Sequence, residues 1–228
     1  MTDGTIIRRI PRADPEVIAG LGTAGVATVH EAGAGLLLPP EIRPIQQGIR
    51  VAGSAVTVMC LPGDNLMIHA AVEVIEPGDI LVVTTKSPST HGMFGELLAV
   101  SVRSRGCAGL VIDAAVRDVA HLREMGFPVW TRTVHAAGTT KTGLGSVNLK
   151  VDFAGIAVGP GDVVVADDDG VAIVERDRAR EVLTAARQRL EKEEQTRSRL
   201  ASGELGLDIY GFRQRLQDLG AHWLETPD

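Results

Sequence analysis

Two short residue pairs, Gly95-Glu96 and Arg117-Asp118, contain residue types that can bind an oxo acid together with a metal ion. A helix pattern begins after Gly95, and free backbone amides at a helix start suit a carboxylate. Arg117 can hold a developing enolate, and the adjacent Asp118 can bind a hard cation such as Mg²⁺. Amides, an arginine and a metal are what stabilisation of a 2-oxo acid enolate requires. An Arg-Asp pair at a helix start is, however, also typical of a plain cap with an ion pair.

Alternating strand and helix patterns must bring these two pairs together. The apolar run 80–85 predicts a strand, and a helix follows from about Glu96 to Gly106. The run 108–116 predicts a second strand, followed by a helix that stops at Gly126 and a third strand. This order favours parallel pairing and an α/β fold. Both helices then start at the carboxyl edge of one sheet, where α/β folds place ligands.

The flanking segments extend this plan. Asp14-Pro15 predicts a helix start, 49–60 predicts a strand, and 163–175 predicts two strands about the turn 167–170. Three adjacent aspartates in that turn cannot converge on one ion, so we interpret them as a turn and not as a metal site.

A long charged helix is predicted from Asp177 to about Leu200, with the narrow apolar stripe Val182, Ala186 and Leu190. We expect a catalytic domain over 1–176, with 177–228 forming a helix and tail that pack on a neighbouring subunit. Four of the seven aromatic residues are expected to mark the cleft and the subunit contact. They are Phe94, Tyr210, Phe212 and Trp223.

Composition narrows the classes of function. The 228 residues carry a formal charge of −6 and only 3% aromatics, which argues against nucleic-acid binding. None of the four lysines lies in an apolar stretch of strand or helix, which makes a Schiff-base enzyme improbable. Cys60 and Cys107 have apolar neighbours and are expected to be buried thiols. We expect a cytoplasmic protein, since no leader or membrane span is visible.

The spacing of Gly95-Glu96 and Arg117-Asp118 resembles the signature of the class II pyruvate aldolases. These are the 4-hydroxy-4-methyl-2-oxoglutarate / 4-carboxy-4-hydroxy-2-oxoadipate aldolases, whose family includes the regulator of ribonuclease activity A. The resemblance covers nearly the whole chain. It extends to RIPRADP (9–15), GVATVHEA (25–32), AGSAVTV (52–58), PGDNLMIHAAVE (62–73), RGCAGLVIDAAVRD (105–118), EMGFPVW (124–130), LGSVN (144–148), PGDVVVADDDGV (160–171) and GELGLDIYGFR (203–213).

The resemblance implies a fold and a metal site. The fold would be an α/β/β sandwich of the ribonuclease-regulator and phosphohistidine swivelling-domain type, with a long C-terminal helix. Asp118 matches the direct ligand of Mg²⁺ or Mn²⁺. Arg117 matches the residue that stabilises the pyruvate enolate.

The remaining roles also follow from the resemblance. The amides of Glu96, Leu97 and Leu98, after Gly95, match the cradle for the pyruvate carboxylate. The Glu96 side chain would hold metal-bound water, and a glutamate from a neighbouring subunit would complete that water shell. Glu193 is the best match for this glutamate, with Glu194 as the alternative.

Two positions depart from the family pattern. Glu96 stands where aldolases of the family have Asp, and His121 stands where the pattern Arg-Asp-X-X-acid has an acid. A missing carboxylate near the metal weakens support for its ligands. These departures put metal affinity and substrate choice in question more than the fold.

The resemblance implies metal-dependent retro-aldol cleavage of 4-carboxy-4-hydroxy-2-oxoadipate, or of its 4-methyl analogue, to pyruvate and a second oxo acid. Oxaloacetate decarboxylation would be a side activity, and the active form a homotrimer or homohexamer. Two alternatives stay open: a non-catalytic regulator that binds a ribonuclease or another protein, and a dedicated oxaloacetate decarboxylase. No nucleic-acid or membrane partner is expected.

Other polar residues receive plainer interpretations. His30 and His69 are expected to be structural. His91 is expected to line the substrate entrance, where Lys86, Ser87 and Ser89 would contact a distal carboxylate. The glycines between 20 and 35 lack the spacing of a dinucleotide site.

Overall fold

The computed structural model describes residues 4–33 and 35–225. The chain divides into two compact units, and the division falls between Ala186 and Arg187, inside the longest helix. The helices are α1 (Pro15–Ala24), α2 (Val26–Glu31), α3 (Leu66–Ala71), α4 (Glu96–Ser104), α5 (Val119–Glu124), α6 (Ala179–Ala201), α7 (Gly206–Ile209) and α8 (Phe212–Asp218). The strands are β1 (Thr5–Ile6), β2 (Leu36–Leu37), β3 (Arg43–Pro44), β4 (Val51–Cys60), β5 (Ile80–Thr85), β6 (Gly92–Phe94), β7 (Gly109–Val116), β8 (Val129–Val134), β9 (Ser146–Val147), β10 (Val151–Phe153), β11 (Ile156–Val158), β12 (Val163–Asp167) and β13 (Gly170–Val174).

The centre of the first unit is a parallel sheet in the order β4-β5-β7-β8. Strands β5 and β7 are nearly continuous apolar runs because both of their faces are buried. The β12–β13 hairpin adds antiparallel to β4, and β3 adds antiparallel to β8. The predicted α/β fold, with its parallel strands and long C-terminal helix, is therefore confirmed.

Alternating side chains of β7 pack into two different hydrophobic cores. Leu110 and Ile112 join the core beneath α3, α4 and α5, whereas Val111 joins a core on the opposite face with Trp130. Phe94 is fully buried and stacks on Phe127 with ring centroids 5.9 Å apart. The expectation that Phe94 marks the cleft was therefore wrong, because its ring belongs to the helix-side core.

The predicted turns and caps are confirmed at several positions. Asp14 caps α1 by accepting the amide hydrogen of Glu16 at 2.9 Å. Asp167 accepts from the amide of Val26 at 3.0 Å, and Asp168 accepts from the amide of Gly48 at 3.0 Å. These aspartates hold a turn in place. Within the described residues, no group of three His, Cys, Asp or Glu side chains is placed to hold a metal ion.

The burial of the first turns of α6 contradicts the expectation that its apolar stripe packs on a neighbouring subunit. Val182 and Ala186 are fully buried in a core with α1, α2, β12 and β13. They therefore lie within the chain's own core and do not face a neighbouring subunit. Leu190, the next residue of the stripe, is 36% exposed. In the second unit, none of the described residues from 187 to 225 is buried.

Both cysteines are buried, as predicted. Burial raises the pKa of the Cys60 thiol to about 12 and that of the Cys107 thiol to about 11. Neither thiol is therefore activated as a nucleophile. None of the helices in the described part of the chain is long and apolar enough to cross a membrane.

Candidate functional site

Arg117 leaves the carboxyl end of β7, where a short parallel strand holds its backbone. Strand β6 pairs with β7 in parallel, and the Arg117 amide donates to the Phe94 carbonyl at 2.9 Å. The Arg117 side chain is 46% exposed, so its guanidinium can reach a ligand from a fixed backbone.

Asp118 adopts the left-handed backbone conformation, with φ 56° and ψ 34°. This conformation is uncommon for residues other than glycine, and aspartate and asparagine tolerate it best. It allows the chain to turn directly from β7 into α5, and the Asp118 carbonyl accepts the Leu122 amide hydrogen at 3.0 Å. Such backbone outliers cluster at functional sites.

The Asp118 carboxylate lies at the start of α4 and so joins the two predicted pairs. Its Oδ2 accepts the Glu96 amide hydrogen at 3.2 Å and lies 3.6 Å from Arg117 Nε. Both the helix dipole and the guanidinium favour a negative charge at this point. Gly95 leaves the necessary space, since a Cβ there would lie 2.4 Å from the same oxygen.

This arrangement changes the amide cradle that the sequence predicts. The Glu96 amide already donates to Asp118, while the first intrahelical bond of α4 runs from Ala99 to Gly95. The amides of Leu97 and Leu98 are therefore the two first-turn donors left for a ligand carboxylate. The Leu97 side chain is 81% exposed beside them, and that of Leu98 is buried.

The Glu96 side chain faces the residue that departs from the family pattern. His121 Nδ1 lies 3.7 Å from Glu96 Oε2, and both side chains are partly exposed. A protonated His121 would therefore pair with Glu96, whereas an acid at position 121 would add negative charge next to it.

The donor set fits a hard divalent cation. Asp118 and Glu96 offer carboxylates on side chains that are 37% and 43% exposed, and the Glu96 amide links the two residues. Mg²⁺ and Mn²⁺ prefer oxygen ligands, and Mg²⁺ commonly keeps several waters with one or two protein carboxylates. The small number of acidic ligands is consistent with such a site.

Glu193 and Glu194 lie on the part of α6 that belongs to the second unit. Glu193 pairs with Arg189 at 2.8 Å, and Glu194 pairs with Arg197. Their contribution to the site stays a prediction.

The predicted histidines have different surroundings. His30 Nδ1 contacts the Gly35 carbonyl at 2.8 Å, which confirms a structural role at the end of α2. Burial and, secondarily, the charge of Lys141 lower the pKa of His69. His91 packs its ring over Gly63, where an added Cβ would lie 3.2 Å from the imidazole.

Asp113 and Arg132 are polar residues near the site that sequence reasoning missed. Asp113 interrupts the apolar run of β7, and Arg132 lies on the neighbouring strand β8. Their side chains form an ion pair in a cleft that also contains Lys86, Ser87 and Ser89. The single charge in an otherwise apolar strand was the available signal.

Comparison with known proteins assigns the chain to a family. The sequence model of the family described as RraA-like, Aldolase/RraA, matches residues 24–173, and the chain belongs to this family. A protein of Halalkalibacterium halodurans, named provisionally as a 4-hydroxy-4-methyl-2-oxoglutarate aldolase, is 28% identical over 200 residues, covering 87% of this chain and 95% of that protein. A Burkholderia multivorans protein with the same provisional name is 33% identical over 155 residues, covering 66% of this chain and 94% of that protein.

A solved structure supports the same assignment. Streptomyces coelicolor RraAS2, described as an unusual member of the RNase ES inhibitor RraA protein family, is 30% identical with a TM-score of 0.72. The match covers 82% of this chain and all of that one. The predicted family is thus confirmed.

Proposed function

We propose that the chain is a divalent-metal-dependent lyase that cleaves 4-hydroxy-2-oxo acids to pyruvate and a carbonyl fragment. The observation that carries the proposal is the Asp118 carboxylate held between the α4 N-terminus and Arg117. Family membership and the provisional aldolase names of two relatives support lyase chemistry.

The reaction breaks the C3–C4 bond of the substrate. The proton of the C4 hydroxyl leaves, the electron pair of the bond forms the pyruvate enolate, and C3 then takes up a proton. A Mg²⁺ or Mn²⁺ ion held by Asp118 would supply Lewis-acid stabilisation of the enolate. Arg117 binds the 2-oxo oxygen, on which the enolate charge develops.

The other residues orient the substrate and the leaving proton. The Leu97 and Leu98 amides bind the C1 carboxylate at the positive end of α4. Glu96, with Glu193 from a second copy of the chain, orients the water through which the C4 proton leaves. Decarboxylation of oxaloacetate passes through the same enolate, so it is an expected side activity.

The active form in this proposal is a homotrimer or homohexamer in which α6 serves the adjacent site. Large apolar side chains of the second unit support a contact between copies, since Leu205, Leu219 and Trp223 are 56%, 75% and 71% exposed.

A coupled assay for pyruvate tests the proposal, with 4-carboxy-4-hydroxy-2-oxoadipate, its 4-methyl analogue and oxaloacetate as substrates and Mg²⁺ as activator. Asp118→Asn is the most informative variant, because asparagine tolerates the left-handed backbone but lacks the negative charge. We expect turnover to fall by about 100-fold or more with the melting temperature unchanged. Asp169→Asn, in an exposed turn, is the matched control.

Equal rates with Mg²⁺ and with EDTA would contradict metal dependence. Full activity of Asp118→Asn would place the site elsewhere.

A second candidate function is regulation of a ribonuclease. The 30% identity with a member of the RNase ES inhibitor family favours it. Two results together would support this alternative. The parent chain and the Asp118→Asn variant would both inhibit such a ribonuclease, and neither would form pyruvate.

A further inference from the structure

A cleft of about 490 Å³ is lined by the carboxyl ends of β5 and β8 and by Asp113 of β7. Among its described lining residues, six carry hydroxyl groups and four carry a charge. They are Thr84, Thr85, Ser87, Ser89, Thr90 and Thr133, together with Lys86, Asp113, Arg132 and Asp152. Pro88 and Ala154 are the two described lining residues with neither a hydroxyl group nor a charge, so hydrogen bonds and charge are the specific contacts that the cleft offers.

The hydroxyl groups whose bonds are defined offer both donors and acceptors. Ser89 Oγ accepts hydrogens from the amides of Gly63 at 3.2 Å and His91 at 3.4 Å, so its own hydrogen is available for donation. The Thr84 and Thr85 hydroxyls donate to the Asp152 and Ser87 carbonyls, and their oxygens keep lone pairs. A ligand hydroxyl, which both donates and accepts, matches this lining.

The charges of the cleft balance. Arg132 Nε lies 2.5 Å from Asp113 Oδ1, in an ion pair whose side chains are 35% and 18% exposed. Lys86 and Asp152 add one charge of each sign. A ligand carboxylate would have to compete with Asp113 for Arg132, whereas a neutral polar ligand binds without disturbing the pair.

The cleft adjoins the candidate site along β7. Thr133 pairs with Ala115, two residues before Arg117 and hence about 7 Å along the strand. The pairing of β7 with β8 is irregular between Ile112 and Ala115, the stretch that contains Asp113, and Arg117 directly follows the last residue of β7. The Thr90 carbonyl contacts His135 Nδ1 at 2.9 Å, and the His135 amide donates to the Val116 carbonyl at 3.0 Å. The loop that lines the cleft is thus tied to the strand that carries Arg117.

We infer that this cleft receives the C4 substituent of the substrate, and that this substituent is a short polyhydroxylated chain and not a carboxylated one. The inference rests on the proposed function, since Arg117 and the α4 amides must hold the pyruvyl half. It narrows the substrate to 3-deoxy-2-oxo sugar acids, whose cleavage at C3–C4 gives pyruvate and a hydroxyaldehyde.

Two substrates distinguish a polyhydroxylated C4 substituent from a carboxylated one. 3-Deoxy-2-oxogluconate carries hydroxyls on C5 and C6 and would yield pyruvate and glyceraldehyde, whereas 4-carboxy-4-hydroxy-2-oxoadipate carries carboxylates beyond C4. We expect kcat/KM to be about tenfold or more higher for the sugar acid. A preference for the carboxylated substrate would overturn the inference.

The Asp113→Asn substitution should change kcat/KM in opposite directions for the two substrates. The variant leaves Arg132 without its counter-charge, so kcat/KM should rise for the carboxylated substrate and fall for the sugar acid. Thr133→Val should raise KM for the sugar acid by about threefold to tenfold. Thr5→Val, at another exposed strand threonine that does not line the cleft, should leave KM unchanged. Equal effects of Asp113→Asn on both substrates, with an unchanged melting temperature, would overturn the inference.

A third measurement distinguishes failure of the inference from failure of the proposed function. Exchange of the pyruvate C3 hydrogens with deuterated water requires the pyruvyl half of the site alone. Exchange without the expected substrate preference would overturn the inference and leave the lyase proposal standing. Absence of both exchange and cleavage would overturn the two together. Calorimetric titration of 3-deoxy-2-oxogluconate in EDTA should show weaker binding to Asp113→Asn than to the parent chain, and equal binding would count against the cleft.

Discussion

At the scale of single residues, the candidate site depends on a glycine that leaves space and an aspartate with an uncommon backbone. Gly95 is in an extended conformation that any residue adopts, so its role is spatial. Asp118 is in the left-handed region and directs its carboxylate into that space. The two residues are separated along the chain and meet only because β6 pairs with β7.

Gly95→Ala tests this spatial role. The new Cβ would lie 2.4 Å from Asp118 Oδ2, so the carboxylate must move away from the Glu96 amide. We expect pyruvate formation to fall by about 100-fold, with a loss of about 1–3 kcal/mol in the free energy of unfolding. Activity assays and urea unfolding measure the two effects.

Gly138→Ala is the matched control, because no atom of the described residues lies within 4 Å of a Cβ at that position. It should leave both activity and stability near those of the parent chain. An equal loss in the control would mean that Gly95 has no specific role.

At the scale of secondary-structure elements, Asp64 joins the start of α3 to the loop 140–143. Asp64 is buried, with 4% of its surface exposed. Its carboxylate accepts hydrogens from the amides of Leu66, Thr142 and Gly143 and from the Thr140 hydroxyl. Burial by itself raises the pKa of Asp64, but these hydrogen bonds outweigh it and hold the pKa well below its usual range. The ionised form therefore stabilises the folded chain.

Asp64→Asn should lower the free energy of unfolding by about 2–3 kcal/mol at neutral pH, since an amide cannot accept all of these hydrogens. Because the folded pKa is depressed, this contribution is present above the unfolded pKa of about 4 and is lost as the pH falls toward the folded value. Urea unfolding of both chains between pH 7 and pH 2.5 measures the difference. A difference that stays constant over this range would contradict the role of the charge.

At the scale of the whole molecule, the chain combines a unit with a buried core and a second unit without buried residues in its described part. The first two turns of α6 belong to that core, while the division after Ala186 places Glu193 in the second unit. Exposed apolar side chains such as Leu219 and Trp223 are typical of surfaces that a partner covers. A second copy of the chain is the partner that the proposed function requires.

Mixing two inactive variants tests whether Glu193 acts on an adjacent subunit. Each site of a mixed oligomer would take Asp118 from one copy and Glu193 from another. Random mixing of Asp118→Asn with Glu193→Gln should restore about a quarter of the parent activity. Light scattering on a sizing column would establish the oligomeric state of each sample. If each site takes both residues from a single copy, no activity will return, and that outcome would contradict the proposed exchange.

Much of the local structure could be predicted because the relevant signals are short in range. The Asp14-Pro15 start of α1, the strand before Arg117 and the glycine ends of α4 and α5 follow from caps, periodicity and breakers. The α6 stripe was misjudged in its first turns, because a narrow apolar stripe does not reveal whether the chain's own sheet or another copy covers it. Phe94 was misplaced for a related reason, since proximity to a site loop does not fix the direction of a side chain.

The sequence by itself determined the α/β class, the family and the residue types at the candidate site, because motifs and periodicity are properties of neighbouring residues. Only the tertiary structure decided that Asp118 takes the Glu96 amide and leaves those of Leu97 and Leu98 for a ligand. It also decided that Asp113 and Arg132 form a charge-balanced, hydroxyl-lined cleft near Arg117. These features depend on strand register and on a left-handed backbone at one residue, and both are set by contacts between segments distant in the chain.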